Sequence, residues 1–176
     1  FTDYLCEGTI KSVIKNAYSL KKESQDYSAR AEIMLAGTFA HNGLMGLGRQ
    51  DDWASHIIAH QLSALYDTTH GVSLAIIFPA WMKYVYKDNL KIFNKFAMNV
   101  FNISDAGKPK ERVALEGIEK FQSFLMKIGL PTTLREGNIP RDEFFRMAEM
   151  ATINGPIGAL KVLDREDIIN IYKLAE

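Results

Sequence analysis

Val113-Ala-Leu-Glu-Gly-Ile-Glu-Lys-Phe-Gln-Ser-Phe-Leu-Met-Lys-Ile-Gly-Leu-Pro131 carries the clearest secondary-structure signal in the chain. Its large apolar residues recur mostly at spacings of three and four, which places them on one face of an α-helix. They are Val113, Leu115, Ile118, Phe121, Leu125 and Ile128. Gly129 and Pro131 follow in the order that commonly ends a helix. The stretch therefore predicts an amphipathic helix that stops before Gly129.

The same spacing extends over most of the remaining sequence and predicts more helices. Asp26 or Ser28 can cap the second helix, Asp52 the third and Asp164 the last, because short polar side chains accept hydrogen bonds from free N–H groups at helix starts. The predicted helical segments are Phe1–Leu20, a helix after Asp26, a helix after Asp52, Leu90–Phe101, Pro140–Ala151 and Arg165–Ala175.

The apolar run Gly71–Phe78 is the ambiguous segment, since a buried strand and a buried helix have similar composition. Few other segments alternate with a period of two, so a strand here would have no evident pairing partner. A buried helix bent at Pro79 is the preferred interpretation. With no long linker in the chain, the sequence predicts one all-α domain, a helical bundle that covers residues 1–176.

Composition excludes several classes of protein. The chain has 176 residues, enough for one domain with a real core. Its 21 basic residues balance its 21 acidic ones, so no nucleic-acid or anionic-membrane partner is expected. No apolar stretch reaches the roughly eighteen residues of a membrane span. Cys6 is the only cysteine, which excludes an internal disulfide and favours a reducing, cytoplasmic location.

The start of the chain suggests a piece of a longer protein. Phe1 is not a methionine, and the helical pattern begins at once. We therefore expect further sequence before Phe1.

Three of the four histidines lie close together in the sequence. His56 and His60 are four residues apart and share a helix face. His70 follows where a turn can return it to that face. Imidazole is a common ligand of zinc and iron, but such sites need about three or four ligands. From spacing alone, a metal site and a set of hydrogen-bonded core histidines remain equal alternatives.

Two other patterns and the fourth histidine give no site. No glutamate follows His56, so the helical zinc-protease motif is absent. The glycines at Gly43, Gly46 and Gly48 have the wrong order for a nucleotide-binding loop, and chain reversal explains them better. His41 has no partner at ligand spacing, which favours a structural or surface role.

Three segments carry a resemblance to a known family. They are Ala31-Glu-Ile-Met-Leu-Ala-Gly-Thr-Phe-Ala-His-Asn-Gly-Leu-Met-Gly-Leu-Gly48, Asp51-Asp-Trp-Ala-Ser-His-Ile-Ile-Ala-His-Gln-Leu-Ser-Ala-Leu-Tyr-Asp67 and Thr69-His-Gly-Val-Ser-Leu-Ala-Ile-Ile-Phe-Pro-Ala-Trp81. Together they resemble the iron-containing (metal-dependent) alcohol dehydrogenases. The Asp-Asp-Trp before His56 is similar to the butanol dehydrogenase and broad-range aldehyde reductase branch. The tail from Ile139 to Ile169 also resembles this family, so the likeness covers essentially the whole chain.

The resemblance implies a two-domain parent protein of which this chain is one part. Family members have an N-terminal α/β domain that binds NAD(P) and a helical C-terminal domain, and this sequence resembles the helical domain alone. One divalent ion, Fe²⁺ or Zn²⁺, is held in the family by an aspartate, a histidine and two further histidines that match His56 and His70. The histidine that matches His60 lies beside the nicotinamide and substrate and is a candidate proton relay. The other two ligands and the residues that bind NAD(P) lie upstream of the part represented here.

The resemblance also implies an activity. The parent would interconvert primary, butanol-like alcohols and aldehydes by hydride transfer with NAD(P), as a homodimer, and this fragment alone would be inactive. One alternative is a non-catalytic helical domain whose histidines are structural or mediate subunit contact. A metal-storage or sensor protein is another, but it needs carboxylates that face the histidines, and Asp51 and Asp52 look better placed for capping.

Overall fold

The computed structural model describes residues 1–176 and is helical throughout. The α-helices are α1 Thr2–Lys22, α2 Tyr27–His41, α3 Ala54–Tyr66, α4 His70–Val85, α5 Leu90–Phe101, α6 Lys110–Ile128, α7 Phe144–Ala151 and α8 Arg165–Leu174. Short 3₁₀ turns span Leu44–Gly46 and Tyr86–Asn89. The only β-type pairing is an isolated bridge between Ile157 and Leu163. The predicted all-α fold is confirmed, and none of the helices combines the length and apolar character that crossing a bilayer requires.

The capping residues predicted from the sequence lie where expected in most cases. Asp26, rather than Ser28, caps α2, and its carboxylate accepts a hydrogen bond from the Ala29 N–H at 3.0 Å. Asp164 begins α8 with a capping box that it shares with Asp167. Gly129 ends α6 in the left-handed region with φ of 94°, a conformation that glycine adopts without steric cost.

Three helix starts differ from the prediction, and the first is α1, which begins at Thr2 instead of Phe1. α7 begins at Phe144 instead of Pro140, because residues 141–143 are polar and offer no apolar face for the core. The first residue before α3 is Trp53, which makes no side-chain cap. Asp52, one residue earlier, accepts instead from the Ala54 N–H at 2.8 Å.

α4 resolves the ambiguous segment. It is one helix that includes Pro79, so the helical interpretation is confirmed and the strand alternative is wrong. The bend at Pro79 stays a prediction. Its buried residues are Ser73, Ala75, Ile76, Ile77, Pro79, Ala80, Trp81, Met82 and Val85. They lie on all sides of the helix, and they are buried because α3, α6 and α8 all pack against α4. A helix that is apolar on all sides is stable only when it is covered in this way.

The core lies among α3, α4, α6, α7 and α8, and the first two helices are peripheral. From α8, the fully buried Tyr172 donates its hydroxyl to the Ile58 carbonyl of α3 at 3.1 Å. By contrast α1 has no buried residue, and α2 buries only Ala29 and Ala36. The outer face of α2 exposes apolar side chains, Met34 at 74%, Leu35 at 52% and Phe39 at 40%.

We expect the Asp164→Ala variant to lose about 1 kcal/mol in the free energy of unfolding, because the capping box of α8 is removed. Urea denaturation followed by circular dichroism measures this loss. Asp142→Ala is the matched control, since Asp142 is exposed and makes no side-chain hydrogen bond or ion pair. Equal midpoints for both variants would contradict the role given to Asp164.

Candidate metal centre

The connection between α3 and α4 determines where the histidines lie. His56 and His60 stand one turn apart on α3, and Asp67 ends that helix in the left-handed conformation with φ of 52°. The chain reverses there, and α4 begins with His70. The ring centroid of His70 is then 5.5 Å from that of His56 and 5.0 Å from that of His60. The structure thus brings the three predicted site residues together, with His70 between the other two; we call them the histidine cluster.

The three rings have different surroundings. His60 and His70 are exposed and make no side-chain hydrogen bond within the protein, whereas His56 is half-buried. Trp53 packs edge-on against His56 with ring centroids 5.0 Å apart, and the Ser55 hydroxyl lies 3.5 Å from its Nδ1. Two of the three histidines are therefore not hydrogen-bonded core residues, and their ring nitrogens are accessible to a ligand.

Burial and neighbouring charge act on His56 in the same direction. Partial burial lowers its pKa below the usual 6.5, and the positive charges that His70, His60 and His41 can carry lower the pKa further. A lower pKa keeps the ring neutral at physiological pH. The neutral ring has the lone pair with which imidazole binds a metal ion.

The donor set of the histidine cluster fits a divalent ion but is incomplete. Imidazole nitrogens suit iron and zinc alike. However, no group of three or more His, Cys, Asp and Glu side chains in this chain is arranged to hold an ion. The carboxylate of Asp52 is occupied by the backbone N–H groups of Ala54, Ala159 and Leu160. The Asp52 carboxylate is therefore not free to act as a ligand beside the histidines.

Sequence reasoning missed two features near the histidine cluster. The contact between Trp53 and His56 had a signal in the sequence, since the two are three residues apart on one helix face. The bonds from Asp52 to residues 159 and 160 had none, because they cross more than a hundred residues of chain. As predicted, His41 is exposed; its Nδ1 lies 3.0 Å from the Gly37 carbonyl oxygen.

Comparison with known proteins identifies the fold and its relatives. A family model described as "Fe-containing alcohol dehydrogenase family, C-terminal" matches residues 1–175. The chain belongs to this family. A probable NADH-dependent butanol dehydrogenase of Bacillus subtilis is 37% identical over 173 residues, which are 98% of this chain and 45% of that protein. NADH-dependent butanol dehydrogenase A of Clostridium acetobutylicum is 38% identical over 174 residues, which are 97% of this chain and 44% of that protein.

Solved structures of family members have the same helical arrangement. NADH-dependent butanol dehydrogenase A of Thermotoga maritima superimposes with a TM-score of 0.94 at 39% identity, over 99% of this chain and 46% of that one. The aldehyde reductase YqhD of Escherichia coli gives a TM-score of 0.93 at 26% identity, over 99% of this chain and 46% of that one. This chain therefore spans somewhat less than half the length of the family relatives it matches.

We expect the His56 ring to titrate below pH 6.5 in the folded chain, because burial and the other imidazoles oppose its protonation. Two-dimensional NMR of the ring Cε1–H signals measures the midpoint, and His56→Gln assigns the signal by removing it. The unfolded chain binds this proton more tightly than the folded chain does. The part of the free energy of unfolding that depends on neutral His56 is therefore fully present above pH 6.5. It is lost as the pH falls from 6.5 through the lowered pKa of His56 in the folded chain. A midpoint at or above 6.5 would contradict the prediction.

Proposed function

We propose that this chain is the metal-binding helical part of an NAD(P)-dependent alcohol dehydrogenase or aldehyde reductase that interconverts primary, butanol-like alcohols and aldehydes. The observation that carries the proposal is the convergence of His56, His60 and His70 through the short α3–α4 turn. Family membership and the activities for which the relatives are named support the same function. In this proposal, residues 1–176 all belong to the helical C-terminal domain.

The proposal gives the three histidines two kinds of role. His56 and His70 would bind a divalent ion, Fe²⁺ or Zn²⁺, through ring nitrogens. Such an ion stabilises negative charge on the oxygen of an alcohol and polarises an aldehyde carbonyl. His60, exposed beside His70, would exchange a proton between a ring nitrogen and the substrate oxygen or solvent. NAD(P) would carry the hydride.

The exposed face of α2 favours a fragment over an independent domain. Met34, Leu35 and Phe39 form an apolar surface on a helix that packs mainly against α1 and the Leu44–Gly46 turn. Such surfaces usually mark a contact with another part of a protein. A non-catalytic domain with structural histidines would instead need a closed polar surface and paired ring nitrogens. The relatives are more than twice as long as this chain, and the corresponding part of the parent protein would supply the remaining ligands and the nucleotide site. Homodimeric assembly and a cytoplasmic location stay predictions.

We expect the chain to bind Zn²⁺ weakly, because two imidazoles are fewer than the three or four ligands of a typical protein site. His56→Ala and His70→Ala should each raise the dissociation constant at least about tenfold, which isothermal titration calorimetry measures. His41→Ala is the control, since His41 is also exposed but lies outside the histidine cluster. Tight binding that His56→Ala leaves unchanged would overturn the ligand assignment.

We also expect the chain alone not to oxidise NADH or NADPH with butanal, with or without added Fe²⁺ or Zn²⁺, because it supplies only part of the ligand set. Absorbance at the wavelength of the reduced nicotinamide follows the reaction. Metal-dependent turnover that His60→Ala abolishes would show that the residues described here suffice for catalysis.

A further inference from the structure

Asp52 connects two distant parts of the chain through its carboxylate. Oδ1 accepts a hydrogen bond from the Ala54 N–H at 2.8 Å. Oδ2 accepts from the N–H groups of Ala159 at 3.0 Å and Leu160 at 2.7 Å. Hydrogen bonds to an ionised group are about twice as strong as neutral ones. The side chain therefore joins the first turn of α3 to the loop of residues 157–163, which precedes α8.

That loop is itself firmly held. The Ile157 N–H donates to the Leu163 carbonyl at 3.0 Å, and the Leu163 N–H donates back at 2.7 Å. Leu163 is fully buried in the core. Gly158 has φ of 99°, and a Cβ at this position would clash with the Lys161 carbonyl oxygen. The same Cβ would be 3.5 Å from the Ala54 side chain, so the loop packs directly against the start of α3.

The first turn of α3 carries the half-buried ligand candidate. Trp53 begins the helix without a side-chain cap of its own and packs against His56. Ala54 and Ser55 in the same turn are buried. Fraying or rotation of this turn would move His56, whereas His70 would stay, since it belongs to the buried helix α4.

We propose that Asp52 is a positioning residue of the histidine cluster, which clamps the first turn of α3 to the 157–163 loop and thereby sets the distance between His56 and His70. This inference rests on the proposed function, because it matters for chemistry only if the two rings bind one ion. Asp52 acts through the backbone and has no contact with the ion.

The neighbouring Asp51 is a matched control. It carries the same charge one residue away, is exposed, and makes no side-chain hydrogen bond or ion pair. A second control is Asp164→Ala, which removes the cap of α8 and destabilises the fold without touching α3. Together they separate loss of charge and loss of stability from loss of the clamp.

The test measures Zn²⁺ affinity of the 176-residue chain by calorimetry at a temperature where circular dichroism shows each variant folded. Asp52→Asn keeps one acceptor oxygen but turns an NH₂ group toward backbone N–H, so we expect the dissociation constant to rise about tenfold. Asp52→Ala should weaken binding at least as much. Asp51→Asn and Asp164→Ala should bind as the wild type does. In NMR spectra the His56 ring signals should shift in Asp52→Asn and stay in place in Asp164→Ala.

Two results would overturn the inference: wild-type affinity in Asp52→Asn, or an equal loss in Asp164→Ala. If Asp52→Ala does not fold, Asp52→Asn decides. The same measurements distinguish failure of this inference from failure of the proposed function. If His56→Ala weakens binding while the Asp52 variants do not, only the clamp is wrong; if His56→Ala has no effect, the metal site itself is wrong.

Discussion

The extensive burial of α4 is the constraint on which the rest of the structure depends. Its buried side chains lie on all sides of the helix, so α3, α6 and α8 pack around it. Once covered in this way, the helix cannot rotate or slide without opening cavities. Its first residue, His70, is exposed at the end of this immobile element. The histidine cluster is thus built outward from the most rigid part of the molecule.

The two sides of the molecule differ in how much of their apolar surface is covered. The helices around α4 bury their faces, whereas α1 and α2 form an outlying pair. The C-terminal end of α2 brings His41 close enough for its charge to lower the pKa of His56. The end of α2 that carries the exposed Phe39 and His41 therefore lies near the histidine cluster.

Local patterns predicted most of the fold. The stripe that ends at Gly129 and the caps at Asp26 and Asp164 depend on residues a few positions apart, and the structure confirms them. The start of α7 was predicted too early, because proline favours a helix start in general but the polar residues after Pro140 have nothing to pack against. At α3, Asp52 was expected to cap the helix, and its other oxygen binds a loop that no local pattern reveals.

For the candidate site, the sequence by itself determined which residue types are available and that His56 and His60 share a face, because helical periodicity is a local property. It also showed the family resemblance, which the comparisons confirm. Only the tertiary structure decided that His70 returns to within 5.0 Å of His60 and that the ring of His56 is half-buried. It alone placed the Asp52 carboxylate on residues 159 and 160. The physical reason is that burial, pKa shifts and hydrogen bonds across the bundle depend on how helices pack, and packing joins residues whose separation in the sequence carries no signal.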